Sequence, residues 1–459
     1  MAGKRPSCII IGAGLAGLSA ALRLVERGWK VDVFEACPWF GGRVYTYNFK
    51  KAPKLNCELG GEWIGDQHDH MKTLCGQFRL KLQKHRYSFA FPQDGKAARF
   101  DRAGTWPFRR PNERKLSRFL KEFANPKVYD ECKQKEIDRY DWWTWLAKLG
   151  FDRSELLRRD LMDSTDFGET IRLTSAFIAA GEYFTSNKYD EMDWKIEGGN
   201  HKLPEAMMKR ISSSGTGTFH LGKQITGVFQ KGTKVRVRGN SFVPTDDGKL
   251  KWTAKPTISR DADFCICTVP ARTLNTITWD PPLSEDHVAA ADQLQYCRIV
   301  KTVVLYETKF WKKGKFRPSG GGYSWFTDGV SDFCFDATQS QDEDPRGILC
   351  SYAIGDKADD LAGASLTKLR QWITEDIEDA CGVARGTAAP IDIERQPWQE
   401  NPFTQGAYGY YRSGQWFTVR PVLSRPHRRV HFAGEHLDED WQGFMEGAVR
   451  TGEAAAASI

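Results

Sequence analysis

No CxxC pair occurs in this chain of 459 residues, although it holds eleven cysteines. An odd, scattered set argues against a disulfide framework or a zinc ribbon, and reads as reduced thiols in a cytoplasmic protein. Cys265 and Cys267, two apart on an apolar strand, read as small core residues. No run approaches eighteen consecutive apolar residues, so no transmembrane helix is expected. The first apolar strand starts within ten residues of Met1 and the last motif runs close to Ile459, so neither a signal peptide nor a membrane anchor is expected. Internal repeats, low-complexity linkers, a Walker loop, a Ser-His-Asp order and a nucleic-acid module are missing too. One local group of metal-type ligands exists, Asp66, His68, Asp69 and His70. Packed so closely on a loop, they have poor geometry for a closed site, and no metal is expected.

What is present is an ordinary globular balance of 40% apolar and 27% charged residues, with sixteen tryptophans and 27 phenylalanines pointing to aromatic-lined interior space. The length exceeds one comfortable core, so two domains are expected. A net charge of +7 is modest for this size. Its densest basic stretch, Arg109, Arg110, Arg114, Lys115, Arg118 and Lys121, reads as a solvated helix face, with an anionic partner as the alternative.

The first motif is readable from the residues alone. Cys8-Ile9-Ile10-Ile11 is a short buried strand, followed by a GxGxxG turn at Gly12, Gly14 and Gly17 that contains Leu15 and Ala16. An apolar helical pattern continues to a Gly28 stop. Gly12 permits the tight turn, Gly14 lets a pyrophosphate approach the backbone, and Gly17 lets helix pack on strand. The helix N-terminus offers free N–H groups to the phosphates. A second strand, Lys30 to Phe34, ends on Glu35 and Ala36, with Glu35 eighteen residues beyond Gly17, where a carboxylate accepts from ribose hydroxyls. This predicts an α/β (α+β overall) fold with a Rossmann-like dinucleotide domain.

That domain is predicted to be discontinuous. Residues 76–193 are rich in helical pattern, aromatics and charge; strands return at Phe219 to Phe229, Lys234 to Arg238 and Phe264 to Val269. Further strands are expected at Val300 to Glu307 and Ile348 to Ile354, with a helix at Leu366 to Ala380. The boundaries expected are 1–75, 194–278 and 426–459 for the cofactor domain, with 76–193 and 279–425 forming an inserted mixed sheet-and-helix substrate domain over the crevice. Asp163 to Glu169, dense in polar groups, is read as lying before a helix, capping it or lining a substrate entrance.

Several ordered motifs then resemble the flavin-containing amine oxidase superfamily, which includes monoamine, polyamine and L-amino acid oxidases, over nearly the whole chain. They are Gly41-Gly42-Arg43, Glu58-Leu59-Gly60-Gly61-Glu62-Trp63, Gly198 to Pro204, Gln224-Ile225-Thr226, Thr268-Val269-Pro270, Trp398 to Gly406 with Tyr408, and two closing runs. The closing runs are Phe432-Ala433-Gly434-Glu435 and Gly443-Phe444-Met445-Glu446-Gly447-Ala448. The resemblance implies FAD, with Gly42 and Arg43 at the pyrophosphate and the Gly60 to Trp63 segment beside the ring. It also implies adenine pairing at the Ile225 backbone, and Gly443 to Met445 facing flavin N1 and O2. Lys301 is implied as the lysine that holds a water near flavin N5, Tyr408 and Phe444 as an aromatic sandwich, and Trp398 as packing on the flavin edge.

Two departures refine this. Covalent members carry a cysteine where this chain has Ala407, so the flavin is expected to be non-covalent. Many L-amino acid oxidases carry a carboxylate-binding arginine where this chain has Trp63; Arg412 and Arg420 are the substitutes considered. Glu62 is read as attracting a cationic amine or as bonding its own loop. The activity implied is oxidation of an amine or L-amino acid C–N bond to an imine, with dioxygen reduced to hydrogen peroxide and no nucleic-acid or membrane partner; a homodimer is compatible. The alternatives are a C–C desaturase of the carotenoid or porphyrinogen oxidase type, and a non-catalytic flavin-bound interaction protein.

Overall fold

The structure, a computed structural model, describes residues 5–85, 89–93, 96–100, 110–188, 194–244, 250–253, 255–315 and 323–459. Five parallel strands form one sheet in the order Val430–Phe432, Phe264–Cys267, Ser7–Ile11, Lys30–Phe34, Gly217–His220. The central strand carries four buried residues in a row, as a strand covered on both faces must. The chain thus leaves this sheet after its second, third and fourth strands in chain order, Lys30–Phe34, Gly217–His220 and Phe264–Cys267, and returns each time.

The helix Leu15–Glu26 covers one face and buries Leu15, Leu18, Leu22 and Val25 among others. It packs against the C-terminal helix Met445–Ala457. At Gly452 an added Cβ would stand 2.1 Å from the Ala16 carbonyl oxygen, so the two helices meet backbone to backbone. That approach brings their N-termini to the same edge of the sheet. Gly17 does the same for helix and strand: a Cβ there would lie 2.0 Å from the Gly12 oxygen.

A second sheet is mixed and seven-stranded, in the order Asp392–Pro397, Ile299–Tyr306, Gly347–Ile354, Phe333–Asp336, Ser324–Phe326, Phe89–Gln93, Lys96–Phe100. Ile299–Tyr306 is buried along its whole length, and places Lys301 opposite Tyr352 on one side and Gln396 on the other. The helices Arg110–Phe123, Trp142–Leu149 and Arg153–Phe167 share a core with it, in which Phe119, Trp142, Leu146 and Met162 meet Val303, Leu305 and Phe335. A third sheet is built on the hairpin of Lys223–Lys231 with Lys234–Pro244.

Three sequence readings change here. Phe219 to Phe229 is not one strand but two, Gly217–His220 and Lys223–Lys231. Gly222, at φ +63°, turns the chain between the parallel sheet and the hairpin. Asp163 to Phe167 is the last turn of Arg153–Phe167, ended by Gly168 in the left-handed region at φ 72°, and the helix that follows begins only at Ala176. The polar groups of that last turn therefore cannot act as N-terminal caps. Within the predominantly helical 76–193 stretch, Phe89–Gln93 and Lys96–Phe100 form an edge hairpin of the large sheet. Arg114, Lys115, Arg118 and Lys121 lie exposed on one helix, while Arg109 falls outside the described residues.

Candidate active site

One cavity of about 1240 Å³ runs from the edge of the parallel sheet to the large mixed sheet. Every residue that the first motif or the resemblance placed at the cofactor or at the reacting end lines it except Gly17, which sits behind the turn and serves the helix–strand contact instead.

At the sheet end the cavity meets two helix N-termini. The Leu15–Glu26 helix begins at Gly14 and the Met445–Ala457 helix at Phe444, and no side chain caps either. Gly14, Leu15, Ala16, Phe444, Met445 and Ala448 are all on the lining, so uncapped N–H groups and two positive dipole ends face one space. Glu35 is buried at the end of its strand, and burial raises its pKa. Its two oxygens accept from the Ala13 and Cys37 N–H groups, at 2.7 and 2.8 Å. Each oxygen keeps a second lone pair for a hydroxyl. Arg43 donates to Glu435 at 2.8 Å, and Glu435 also accepts from Gly409 N (3.1 Å) and Gly443 N (3.0 Å). This one carboxylate ties the GGR loop, the Tyr408 turn and the start of the last helix together. Ile225 lines the cavity at the far side, at the start of the third sheet.

Aromatic and acidic side chains form the other end. Trp398 is fixed by its Nε1–H, which donates to the Leu59 carbonyl at 2.8 Å. Tyr408 follows a cis peptide from Ala407, and its hydroxyl donates to the Asp166 backbone carbonyl. Burial keeps that phenol neutral. Phe444 is backed by His68, ring centroids 5.3 Å apart. His68 is pushed down to about 3 by burial and accepts from Gly65 N–H through Nδ1 at 3.0 Å, so it is a neutral packing group. Phe326, Phe333, Phe335 and Tyr352 from the large sheet, with Trp63, complete the wall. Asp166 and Glu182 line it from the helices Arg153–Phe167 and Ala176–Lys188.

Lys301 is buried, and its ammonium donates to Glu62 Oε2 at 2.6 Å and to the Gly60 carbonyl at 2.9 Å, with the Glu58 carbonyl at the 3.5 Å limit. Burial alone would lower its pKa, but the Glu62 charge prevails and raises it. Glu62 takes a second lysine on Oε1, Lys195. Burial would raise the Glu62 pKa, yet the two ammonium groups hold it below the usual carboxylate range. Glu62 is thus committed to two lysines and is not an open anion for an incoming amine. Neither Arg412 nor Arg420 lines the cavity; Arg412 is exposed, and Arg420 pairs with Glu439 at 2.8 Å. Among the described residues, no group of metal-type ligands is brought together.

The cavity's shape and chemistry fit a dinucleotide with a flat ring: phosphate-seeking N-termini, a buried carboxylate beside them, and an aromatic chamber beyond. The family model for flavin containing amine oxidoreductases matches residues 15–459. This chain belongs to that family. As a member it binds a flavin and acts as an amine oxidoreductase on small molecules. It is 24% identical to an L-amino acid dehydrogenase of Synechocystis sp. over 98% of this chain and 94% of the relative. It is 22% identical to a probable flavin-containing monoamine oxidase A of Dictyostelium discoideum, over 97% and 95%. Wild-type putrescine oxidase bound to putrescine has the same fold, with a TM-score of 0.83 at 20% identity and 99% of each chain covered.

Within this family frame, three parts of the site escaped the sequence reading. Lys195 carried no signal, since a lysine on a short strand is ordinarily solvated. Phe333 and Phe335 carried one, two aromatics spaced for one face of a strand. Glu182, one position before Tyr183 on a helix of low amphipathicity, carried none.

Proposed function

We propose that the chain is an FAD-dependent amine oxidase whose substrate is a small amine with a second positive charge, and that dioxygen is its electron acceptor. The carrying observation is the cavity itself, with phosphate-seeking helix ends at one extremity and Tyr408, Phe444 and a lining carboxylate, Asp166, at the other. Among the described residues no donor is bonded to the Asp166 carboxylate, and burial together with Asp163 raises its pKa to about 7. A bound cation would relieve that cost. The cations on the lining are engaged elsewhere: Arg43 with Glu435, Lys301 with Glu62, Lys223 with Ser241, and Lys84 over the Trp194 ring. Trp63 stands where a carboxylate-binding arginine would be needed. The wall therefore favours an amine over an amino acid, although curated relatives include L-amino-acid oxidases.

FAD would be held by the Gly12 to Gly17 turn, Glu35, Ala36, Gly42, Arg43, the Ile225 backbone, and the Gly434 to Ala448 segment. It supplies the two-electron acceptor that takes the equivalent of a hydride from the CH–NH carbon and passes the electrons to dioxygen, giving hydrogen peroxide. The protein's part is to present the amine uncharged, because a protonated nitrogen has no lone pair to drive loss of the hydride. Tyr408, Phe444 and Tyr352 exclude water there and lower the amine's pKa by desolvation. The imine that leaves takes up water to give a carbonyl compound and ammonia. No thiol stands at Ala407, and the nearby Cys297 thiol is turned to the Phe167 carbonyl at 3.2 Å, which supports non-covalent binding.

The test is a panel of monoamines, diamines and L-amino acids given to the purified yellow protein, with flavin bleaching followed anaerobically and peroxide followed in air. Bleaching by diamines with peroxide formed in air is the expected result. Bleaching without peroxide would make the protein a dehydrogenase, and bleaching by amino acids alone would overturn the substrate assignment.

A further inference from the structure

Glu62 has both carboxylate oxygens occupied by lysines that come from different parts of the fold. Lys301 rises from Ile299–Tyr306, second strand from one edge of the large sheet, and Lys195 from the short strand Trp194–Ile196, which pairs with Leu82–Lys84. Glu62 is 4% exposed and Lys301 7%. The Lys195 stem is itself fixed, its ammonium 4.2 Å from the centroid of the Trp63 ring and 5.8 Å from that of Phe335. Lys195 does not line the cavity, whereas Glu62 and Lys301 do. The second lysine thus acts on the cavity only through the carboxylate.

We propose that Lys195 is a positioning residue for Lys301, acting through Glu62, and that it keeps this wall at one net positive charge rather than zero. The proposal rests on the oxidase reading above. With Lys301 alone, Glu62 would form a neutral pair, and the ammonium's field at the cavity would be largely cancelled. With Lys195 on the far oxygen the carboxylate is shared, and the cluster of two cations and one anion is left with charge to spare. In a low-dielectric wall such a charge acts at longer range than in water.

The other titratable groups here do not alter the sign. Burial pushes up the Cys57 and Cys350 thiols and the Tyr352 hydroxyl, and pushes down His85, so all four are neutral. Glu58 is the exception. It accepts from Thr46 Oγ1 at 2.9 Å and from Asn200 N at 2.9 Å, and burial raises it to about 7. Below that pH it too is neutral, and the cluster charge is that of Lys195, Glu62 and Lys301.

A flavin gains negative charge on reduction, so a positive wall raises its potential. The test is the two-electron potential of the FAD-loaded protein at pH 6 in Lys195→Met, Lys195→Arg and Glu62→Gln. Lys195→Met is expected to make reduction about tenfold less favourable, a fall of about 30 mV. Lys195→Arg is expected to restore the wild-type value, and Glu62→Gln, which removes the anion, to shift the potential upward. Opposite signs for the methionine and glutamine variants separate a charge effect from loosened packing, which would move both alike. If Lys195→Met does not fold, the arginine and glutamine variants still decide. An unchanged potential in Lys195→Met, or a fall in Glu62→Gln, overturns the proposal. Failure of every variant and of the wild type to take up FAD would instead overturn the oxidase reading.

Discussion

Replacing Glu435 by alanine is expected to destabilise the flavin-free protein by about 3–5 kcal/mol. The carboxylate accepts from the Arg43 guanidinium and from the N–H groups of Gly409 and Gly443, and its removal strands all three. Loss of one partner of a buried ion pair alone costs about that much, and each stranded N–H would add about 1–3 kcal/mol if it stayed dry. The Arg43 side chain is 23% exposed, toward the cavity, so water reaches this cluster and the sum stays at the value for the pair. For a chain of 459 residues the entropy of unfolding is about 1 kcal/mol per degree, which converts the loss to about 3–5 °C in the thermal midpoint. Calorimetry of the flavin-free protein at one scan rate measures it. Hydrogen exchange locates the damage, which should fall on residues 41–44, 407–410 and 441–445. A double-mutant cycle with Arg43→Met isolates the ion pair, since Glu435→Ala with Arg43→Met no longer buries an unpaired charge. A midpoint drop under about 1 °C, or strict additivity in the cycle, would show that Glu435 does not join these segments.

Gly17→Ala places a methyl group 2.0 Å from the Gly12 oxygen, so flavin content after desalting should collapse; Gly76→Ala, with nothing within 4 Å, should retain it. Glu58, raised to about 7 in the folded protein against 4.5 ordinarily, binds a proton between those values that the unfolded chain has lost. Stability from this group therefore falls as pH rises from about 4.5 to about 7, by up to about 3 kcal/mol. The buried, neutral His68 and His436 act in the opposite sense over much of that range, so the clean measurement is the difference between Glu58→Gln and wild type, with the variant gaining as pH rises. No gain between pH 5 and pH 8 would refute it. Acid precipitation should leave yellow supernatant over a colourless pellet, because Ala407 offers no thiol for a covalent bond. Asp166→Asn should raise KM for a diamine tenfold or more, the loss of about 1.4 kcal/mol or more of charge pairing, and leave a monoamine unaffected; equal effects on both would remove the carboxylate from substrate recognition.

The nucleotide end of the cavity was legible because its parts are consecutive. Gly12, Gly14, Gly17 and Glu35 sit on one strand-turn-helix-strand unit, and each residue type answers a demand of the local backbone that a reader of the chain can state. The closing helix was legible for the same reason, since Gly443 directly precedes its cap Phe444 and its first residue Met445. The polar run from Asp163 to Glu169 shows the limit of that logic. Asp163, Thr165, Asp166 and Phe167 line the cavity, but the run closes a helix rather than capping the start of one, because short polar side chains that favour a cap also favour the turn after a helix.

Glu62 shows the same limit more sharply. From the sequence it was an acid that draws in an amine or bonds its own loop, and Lys301 a lone lysine able to hold a water. The fold gives each of them the other, and adds Lys195 from 133 residues away along the chain. None of the three segments states the pairing, because ion pairs across sheets obey no sequence period; only the burial of Lys301 in a strand with no acidic neighbour in its own register demanded that some partner exist. An ammonium at the centre of an apolar strand is a charge whose counter-ion must be sought elsewhere, and here that search leads to an anion already shared. The charge left over is what a simple lysine–glutamate pair would not supply.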